Sequence, residues 1–249
     1  RTALMARSGI GDRVEGIHAV RAALEAGRVQ KLIVERRRAE KSEDVAHLVS
    51  MARSRGLEVE GVDDVRPLSA TSAPQGVVAK CRPMPDHDIS ELLDRSDPAA
   101  VVVIDHVEDT HNLGAIARSA VAAGITSLVV PTRRGAPLGG AAFKAAAGAL
   151  EQCAVATVSS TADAVKKLKD LGVWTVGLDA DGDQSLFGLG LFTEPVAIVV
   201  GAETGLGRLV RDRVDVVASI PMAGPTESLN ASVAAALACF ELMRVRETS

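Results

Sequence analysis

The chain has 249 residues, carries a net charge of −4 and is 47% hydrophobic, which is enough apolar material for one large or two modest domains. Aromatic residues make up only 2%, with no Tyr and one Trp, which argues against an aromatic base-stacking platform of the kind that single-strand binders use. The charge is uneven, +4 over residues 1–85 and −8 over residues 86–249. This pattern is compatible with a polyanionic partner for the first part and equally with random scatter.

The cysteines and the apolar runs are informative about the cellular compartment of the protein. Cys81, Cys153 and Cys239 lie in apolar surroundings without CxxC spacing, so we expect reduced core residues of a cytoplasmic protein rather than disulfides or metal ligands. No apolar run is long enough to span a bilayer, and no signal peptide is visible. Because the chain begins at Arg1 rather than Met, the sequence leaves open whether residues precede it.

The N-terminal third predicts a mobile lead-in followed by a small α/β domain. Residues 1–13 show no sustained period, and we expect the domain over residues 14–82. Helices are predicted over residues 16–27 and from Ser42 to about residue 55, with strands over 31–35, 57–62 and 75–81. Arg36, Arg37 and Arg38 follow the first strand and are predicted to lie on a loop, either as a solvated charge run or as ligands for phosphate groups.

Residues 83–98 contain three prolines and predict a linker with a short helix over 89–95. From residue 99 to 249 apolar strands alternate with helices, which predicts a second α/β domain. Strands are expected over residues 99–105, 127–130, 154–158, 173–178, 198–200 and 216–220. Helices are expected over 112–123, 140–150, 161–171, capped by Thr161, and 229–244. Near-continuous apolar strands separated by helices are typical of a parallel sheet covered on both faces.

Three stretches of this second domain carry polar residues that the fold alone does not require. In the first, Asn112 is predicted to cap a helix, and Arg118 stands among small residues within it, either as a surface side chain or as a functional one. In the second, residues 201–207 form a glycine-rich turn after a buried strand, with Glu203 as its carboxylate. The third, residues 228–232, opens an Ala-rich helix with three short polar side chains where capping needs one.

Other site classes fit poorly. Asp179, Asp181 and Asp183 superficially resemble a calcium loop, but Gln184 and Gly190 stand where such a loop requires Gly and Glu. The five His residues show no helical metal spacing, and there is no GxSxG motif. No bound metal is therefore expected.

Together the three stretches resemble the signature motifs of the SpoU-type family of RNA 2′-O-ribose methyltransferases, part of the SPOUT class. The first family motif, Asn-x-Gly-x-x-x-Arg, is matched by Asn112, Gly114 and Arg118. The second, Gly-(Ser/Ala)-Glu, is matched by Gly201, Ala202 and Glu203. The third, Ile-Pro-Met followed by Ser-Leu-Asn-x-Ser, is matched by Ile220, Pro221, Met222, Ser228, Leu229, Asn230 and Ser232. Further stretches resemble the branch that modifies a guanosine of large-subunit ribosomal RNA, so the similarity covers most of residues 14–246.

The resemblance implies a SPOUT domain with a deep C-terminal trefoil knot, a smaller N-terminal RNA substrate-binding domain, a homodimer, and S-adenosylmethionine as methyl donor. The donor is expected near Gly201, Ala202, Ile220, Met222 and Leu229. The residues expected to act on the ribose are Arg118, Asn112, Glu203, Ser228 and Asn230. Arg36, Arg37, Arg38, Arg133 and Arg134 are expected to hold the RNA backbone.

One departure from the family bears on function. The family usually continues Glu-Gly-x-Gly-Leu, whereas Glu203 is followed by Thr204, Gly205 and Leu206, one residue fewer. We expect this shortening to affect the affinity of the protein for the donor.

Two alternatives stand beside methylation of ribosomal RNA. One is the same reaction on transfer RNA or at an antibiotic-resistance site of ribosomal RNA, and the other is an RNA-binding protein without catalysis.

Overall fold

The computed structural model describes residues 9–226 and 228–248, which form two compact units. The first unit consists of the described residues up to Pro85 together with Leu138–Glu151, and the second of Asp86–Pro137 together with the chain from Gln152 onward. Residues 1–8 of the predicted lead-in lie outside the described part. The return of residues 138–151 to the first unit has no counterpart in the sequence prediction.

The regular elements are numbered in chain order. The strands are β1 (Arg13–Glu15), β2 (Val29–Glu35), β3 (Glu58–Val62), β4 (Val77–Cys81), β5 (Ala100–Ile104), β6 (Ser127–Pro131), β7 (Ala154–Val158), β8 (Trp174–Leu178), β9 (Gln184–Ser185), β10 (Val196–Val200) and β11 (Val216–Ser219). The helices are α1 (Ile17–Glu25), α2 (Arg36–Lys41), α3 (Glu43–Ser54), α4 (Thr110–Ala122), α5 (Gly140–Ala145), α6 (Thr161–Asp170), α7 (Arg208–Arg211) and α8 (Ala231–Thr248).

The first unit is built on a four-stranded sheet of order β1–β4–β2–β3, in which only β2 and β3 run parallel. Helix α1 buries Ala19, Val20, Ala23 and Leu24, and α3 buries Val45, Leu48 and Ala52. As predicted, the side chain of Ser42 caps α3 by accepting the Val45 N–H at 3.5 Å. The predicted loop at Arg36–Arg38 is wrong, because these residues form the start of α2.

Residues 138–151 do not form the single helix predicted over 140–150. Helix α5 ends after six residues, where Ala147 (φ 50°) and Gly148 (φ 95°) adopt left-handed backbone, and a 3-10 turn, Ala149–Gln152, follows. A Cβ on Gly148 would lie 2.8 Å from Ala22 Cβ, so glycine allows this segment to pack against α1.

The second unit is built on a seven-stranded sheet of order β7–β6–β5–β10–β8–β11–β9, in which every pairing is parallel. All residues of β5, β6 and β10 are buried. This confirms the α/β class and the parallel sheet inferred from the apolar strands. The two-residue β9, like the three-residue β1, was not predicted, because so short a strand shows no period.

Helices cover the sheet of the second unit. On one side, α6 and a 3-10 helix (Ile89–Arg95) pack on the strands through Val165, Leu168, Ile89 and Leu92. The 3-10 helix lies within the predicted linker and begins with a capping box formed by Asp88 and Glu91. Helix α8 packs against β10 and α4. The cap of α6 is Ser160 rather than the predicted Thr161, and α8 starts at Ala231 and extends to Thr248.

Cys81, Cys153 and Cys239 are buried thiols that form no disulfide, in agreement with their predicted place in the core. Burial raises the pKa of each thiol to about 12, so none of them is a reactive thiolate at neutral pH. Within residues 9–226 and 228–248, no helix combines the length and the apolar character that crossing a bilayer requires.

Candidate active site

The three motif stretches meet at the carboxyl edge of the large parallel sheet. Strands β5 and β10 are neighbours, with Ile104 opposite Val200, so the segments that follow them emerge side by side. Gly201 continues from β10, and Ile220 follows β11, which is separated from β10 only by β8. Loops at this edge of an open α/β sheet are where ligands bind.

Hydrogen bonds join one side chain from each motif. Asn112 Nδ2 donates to Glu203 Oε1 at 2.9 Å, and Asn230 Nδ2 donates to Asn112 Oδ1 at 3.0 Å. Asn230 Nδ2 also lies 3.4 Å from Glu203 Oε1, which closes a triangle. These residues are 91 and 118 positions apart along the chain, and they are brought together only by the fold. We name this arrangement the Asn–Glu–Asn triangle.

Asn230 has two roles at once. Its Oδ1 accepts the Ser232 N–H at 2.9 Å, as a capping residue at the start of α8 does. The same oxygen accepts the Ser232 hydroxyl at 2.6 Å, which fixes the orientation of the amide. Nδ2 therefore points away from the helix toward Asn112 and Glu203.

Asn112 is not the helix cap that the sequence suggested. Helix α4 begins at Thr110, and Asp109 is its cap, with its side chain accepting the His111 N–H at 2.7 Å. Both Asp109 and Asn112 can cap a helix, and the earlier of the two, Asp109, is the N-cap of α4. The Asn112 amide is consequently free for the Asn–Glu–Asn triangle.

A cavity of about 370 Å³ lies next to the triangle, within the usual range of small-molecule sites. All five predicted donor residues line it, as do Glu203 and Ser228. The full set of predicted residues in the wall is Gly201, Ala202, Glu203, Ile220, Met222, Ser228 and Leu229. The wall also contains Leu178, Asp179 and Asp181, which the sequence analysis did not assign to the site. We call this space the donor cavity.

The shortened loop after Glu203 closes as a tight turn. Gly205 N–H donates to Ala202 O at 2.9 Å, with Gly205 at φ 86°. A Cβ on Gly201 would lie 2.8 Å from Leu206 N, so only glycine allows the two ends of the turn to approach this closely. The backbone at Gly201 is thereby open to the cavity.

Asp179 holds this turn from the neighbouring strand. Its Oδ2 pairs with Arg211 at 2.6 Å and lies 3.4 Å from the Leu206 N–H. Burial acts to raise the pKa of Asp179, but the hydrogen bonds from Arg211 and from the backbone of Asp181 and Leu206 outweigh it and hold the pKa below its ordinary value. A signal existed in the sequence: Asp179 directly follows a buried parallel strand.

Arg118 does not line the donor cavity of its own chain. It lies six residues beyond Asn112 on α4, which places it about 9 Å further along the axis and about 120° around the helix. The side chain is exposed, and within the described part of the chain its guanidinium has no hydrogen bond or ion pair. Arg118 and Asn112 are therefore not hydrogen-bonded to each other within the described part of one chain.

The predicted RNA-binding arginines are found in different settings. In the first unit, Arg36 pairs with Asp63 at 2.5 Å and Arg38 lies 4.0 Å from Glu35, whereas Arg37 is exposed and unpaired among the described residues. In the second unit, Arg133 and Arg134 are exposed on the segment after β6.

Comparison with known protein families agrees with this site. Residues 99–240 match the SpoU rRNA Methylase family, and residues 13–86 match the family described as RNA 2′-O ribose methyltransferase substrate binding. The two matched segments together contain every residue of the site described above.

Individual relatives extend the similarity over nearly the whole chain. The 23S rRNA (guanosine-2′-O-)-methyltransferase RlmB of Photobacterium profundum is 34% identical over 242 residues, covering 95% of this chain and 98% of that protein. An uncharacterised tRNA/rRNA methyltransferase of Mycolicibacterium vanbaalenii is 38% identical over 221 residues, covering 85% of this chain and 69% of that protein. The crystal structure of the SpoU methyltransferase AviRb from Streptomyces viridochromogenes, in complex with the cofactor AdoMet, is similar with a TM-score of 0.76 at 30% identity, covering 95% of this chain and 91% of that one.

Proposed function

The chain belongs to the SpoU rRNA methylase family, and from this premise we propose that it methylates the 2′-oxygen of a guanosine ribose in 23S ribosomal RNA. It is an RNA 2′-O-methyltransferase, and its methyl donor is S-adenosylmethionine. The observation that carries the assignment to this site is the Asn–Glu–Asn triangle beside the donor cavity. We place the reaction in the cytoplasm, where ribosomal RNA is available.

The donor cavity suits S-adenosylmethionine in size and in chemistry. Its wall combines the backbone of Gly201 and Ala202 with the apolar side chains of Ile220, Met222 and Leu229. These residues would hold the donor, and the glycines allow its close approach to the backbone. When bound, the donor supplies an electrophilic methyl group on a sulfonium sulfur.

A ribose hydroxyl is a poor nucleophile near neutral pH, so it must be aligned and its proton must be removed or stabilised. Asn112 and Asn230 fix Oε1 of Glu203, and Oε2 of the same carboxylate has no hydrogen bond within the described residues. Oε2 can therefore accept a hydrogen bond from the ribose and orient it. Ser228, exposed at the cavity rim, provides a further hydroxyl near the same place.

Arg118 supplies the positive charge at the phosphate next to the reacting ribose. A guanidinium stays protonated in proteins, so Arg118 grips the phosphate and polarises the hydroxyl rather than acting as a free base. Since it lies outside the donor cavity of its own chain, it serves the cavity of a second copy in a homodimer. Its exposure and the absence of partners among the described residues support this arrangement.

The dimer would form through the outer face of α8. Val233 and Phe240, seven residues apart on this helix, are exposed apolar side chains on one face. Helix α8 packs on α4, the helix that carries Arg118.

We also propose that the chain has the deep trefoil knot of the SPOUT class. Arg246, near the end of α8, donates to the carbonyl oxygens of Pro98, Ala99, Phe192 and Glu194, which anchors the C-terminal helix among distant segments.

The first unit would bind the RNA, as the matched substrate-binding family indicates. Arg37 is the residue of the Arg36–Arg38 group that is free to contact a phosphate, since Arg36 is already paired with Asp63. Arg38 has only a long contact with Glu35, at 4.0 Å.

The test is direct methyl transfer from labelled S-adenosylmethionine to protein-free 23S ribosomal RNA lacking its natural modifications. We expect label at one guanosine, located by resistance of the following bond to alkaline cleavage. An RNA with a 2′-deoxy sugar at that position should take up no label. Label on a base, or none with 23S RNA while transfer RNA is methylated, would contradict the proposal.

A further inference from the structure

A second cleft of about 490 Å³ lies at the same sheet edge and shares no lining residue with the donor cavity. Four segments of the second unit contribute to it: the residues after β5, the residues after β6, the start of α6, and the chain from Gly207 into α7. The polar residues that matter below are Asp105, His106, Arg133, Arg134 and Arg208. We call this space the arginine cleft.

The charge of the arginine cleft is opposite to that of the unit around it. The second unit has a net charge of −8, and six of its lysines and arginines form contacts with carboxylates of 2.8 Å or less. Arg133 and Arg134 have no such partner among the described residues, and Arg208, with a side chain 95% exposed, has only Asp212 at 3.9 Å. Three accessible guanidiniums thus converge on one cleft.

The single carboxylate in the wall, Asp105, is fully buried and does not cancel this charge at the surface. Its Oδ2 accepts the Gly207 N–H at 2.7 Å. Its Oδ1 lies 2.9 Å from His106 Nδ1, but off the direction of a hydrogen bond, so this buried oxygen is left without a hydrogen-bond partner in the described structure. A small rotation of the imidazole would satisfy it.

His106 is held over this carboxylate in a sparsely populated conformation. Its φ is 55°, in the left-handed region, and such residues cluster at functional sites. The ring rests on Gly207, where a Cβ would come within 2.9 Å of His106 Cε1. With Nδ1 against Asp105, Nε2 is on the far side of a side chain that is 39% exposed. Nε2 is therefore the ring nitrogen that a ligand in the cleft can reach.

We infer that the arginine cleft binds a phosphodiester of the substrate RNA, with Arg133, Arg134 and Arg208 supplying charge and His106 presenting the Nε2 edge of its ring. This rests on the proposed function in that the RNA is the substrate. Among the described residues no Phe, Tyr or Trp lines the cleft, so it recognises backbone rather than a base stacked on a large aromatic ring. Guanidinium donors fit phosphate oxygens, and Gly207 links the cleft to the loop that borders the donor cavity.

The test compares RNA binding by His106→Asn and Arg133→Gln with that of the wild type, using the full chain and a fluorescein-labelled single-stranded RNA. Asparagine tolerates left-handed backbone, so the first variant keeps the local conformation. Arg95→Gln is the matched control, since Arg95 is exposed on the same unit but lines a different surface hollow, beside the residues that precede β5, β8 and β10. Affinity for S-adenosylmethionine, measured by calorimetry, reports on the donor cavity.

We expect each of the two cleft variants to bind RNA about fivefold more weakly at moderate salt. The slope of log affinity against log salt should fall by about 0.7 for each lost contact, with donor affinity unchanged. Wild-type binding by both variants, or equal weakening by Arg95→Gln, overturns the inference. If His106→Asn also loses donor binding, Arg133→Gln decides, because the Arg133 side chain has no hydrogen bond or ion pair within the described residues. Absence of methyl transfer by the wild type would instead contradict the proposed function.

Discussion

At the scale of single residues, the site depends on the two-sided chemistry of an amide. The chain has only two asparagines, Asn112 and Asn230, and they are hydrogen-bonded to each other. An amide offers an acceptor and a donor on one rigid group, so each asparagine can bond to one motif while holding another. A carboxylate has no donor, and a hydroxyl offers its donor and acceptor on a single atom, so neither reproduces the two separate ends of the amide.

Substitutions at Asn230 should separate its capping role from its role in the site. Asn230→Ser keeps a capping oxygen for the Ser232 N–H, but its shorter side chain lacks the Nδ2 amide that donates to Asn112 and Glu203. We expect its thermal stability to stay close to wild type while methyl transfer falls at least about tenfold, since losing one such positioning contact costs about 1.4 kcal/mol.

Asn230→Ala is the matched comparison, because it removes both functions. It should lose a comparable amount of activity and, in addition, about 1 kcal/mol of stability measured by denaturant titration. If Asn230→Ser transfers methyl groups as fast as the wild type, the triangle does not position the reacting groups, and Asn230 is a helix cap only.

At the scale of elements, the loop after β10 shows how a missing residue is tolerated. The turn from Ala202 to Gly205 closes on itself, and its far end is tied to β8 through Asp179 and to β5 through Asp105. Arg211, from the helix that follows, completes the contact with Asp179. The contacts that hold this short loop in place therefore come from residues that follow two neighbouring strands, β5 and β8.

Removing the charge of Asp179 should therefore weaken donor binding. Asp179→Asn loses the ion pair with Arg211, and we expect the dissociation constant for S-adenosylmethionine to rise about tenfold, measured by calorimetry. Because the folded pKa of Asp179 is lowered, its stabilising contribution is present at neutral pH and is lost as pH falls below about 4. The variant should lack this part of the acid-induced loss of stability.

The control for this prediction is Asp183→Asn. It removes one negative charge from an exposed position in the segment after β8 that also contains Asp179, but outside the cavity wall. Donor affinity should be unchanged in that variant. Equal weakening by both substitutions would show that net charge near the cavity matters rather than the contact with the loop.

What the sequence predicted and what it did not can be explained by the range of the interactions involved. Strands such as β5 and β10 consist of apolar residues, which by itself indicates that they are buried. The parallel sheet was predicted from these strands. The residues expected near the donor came from the resemblance of three stretches to family motifs. The contact between Asn112 and Glu203 spans 91 positions and depends on strand order, which no local pattern contains. For the same reason the contacts of Asp105, Asp179 and His106 with the loop after β10 were not predicted, although Asp105 and Asp179 each directly follow a buried strand.

At the scale of the whole molecule, the residues proposed to act together do not all meet within one chain. The Asn–Glu–Asn triangle and the donor cavity are both within the second unit, whereas the exposed Arg118 does not line that cavity. A two-fold dimer through α8 would bring Arg118 of each copy toward the other cavity. Each active site would then combine Arg118 from one copy with Glu203 from the other.

Complementation between inactive variants tests this arrangement. Arg118→Ala should bind the donor normally but transfer no methyl group, and Glu203→Ala should also be inactive. In a heterodimer purified through two different tags, one site would have both residues intact and the other neither. We therefore expect about half of the wild-type activity per dimer.

The pairing of Asn112→Ala with Glu203→Ala provides the control, since both residues belong to the same triangle. Every site of that heterodimer lacks one of them, so no activity should return. If Arg118→Ala and Glu203→Ala also fail to complement, although a stable heterodimer forms, then Arg118 acts within its own chain. In that case it would have to reach the donor cavity by a movement of α4, and the two-fold arrangement would be wrong even if the reaction is right.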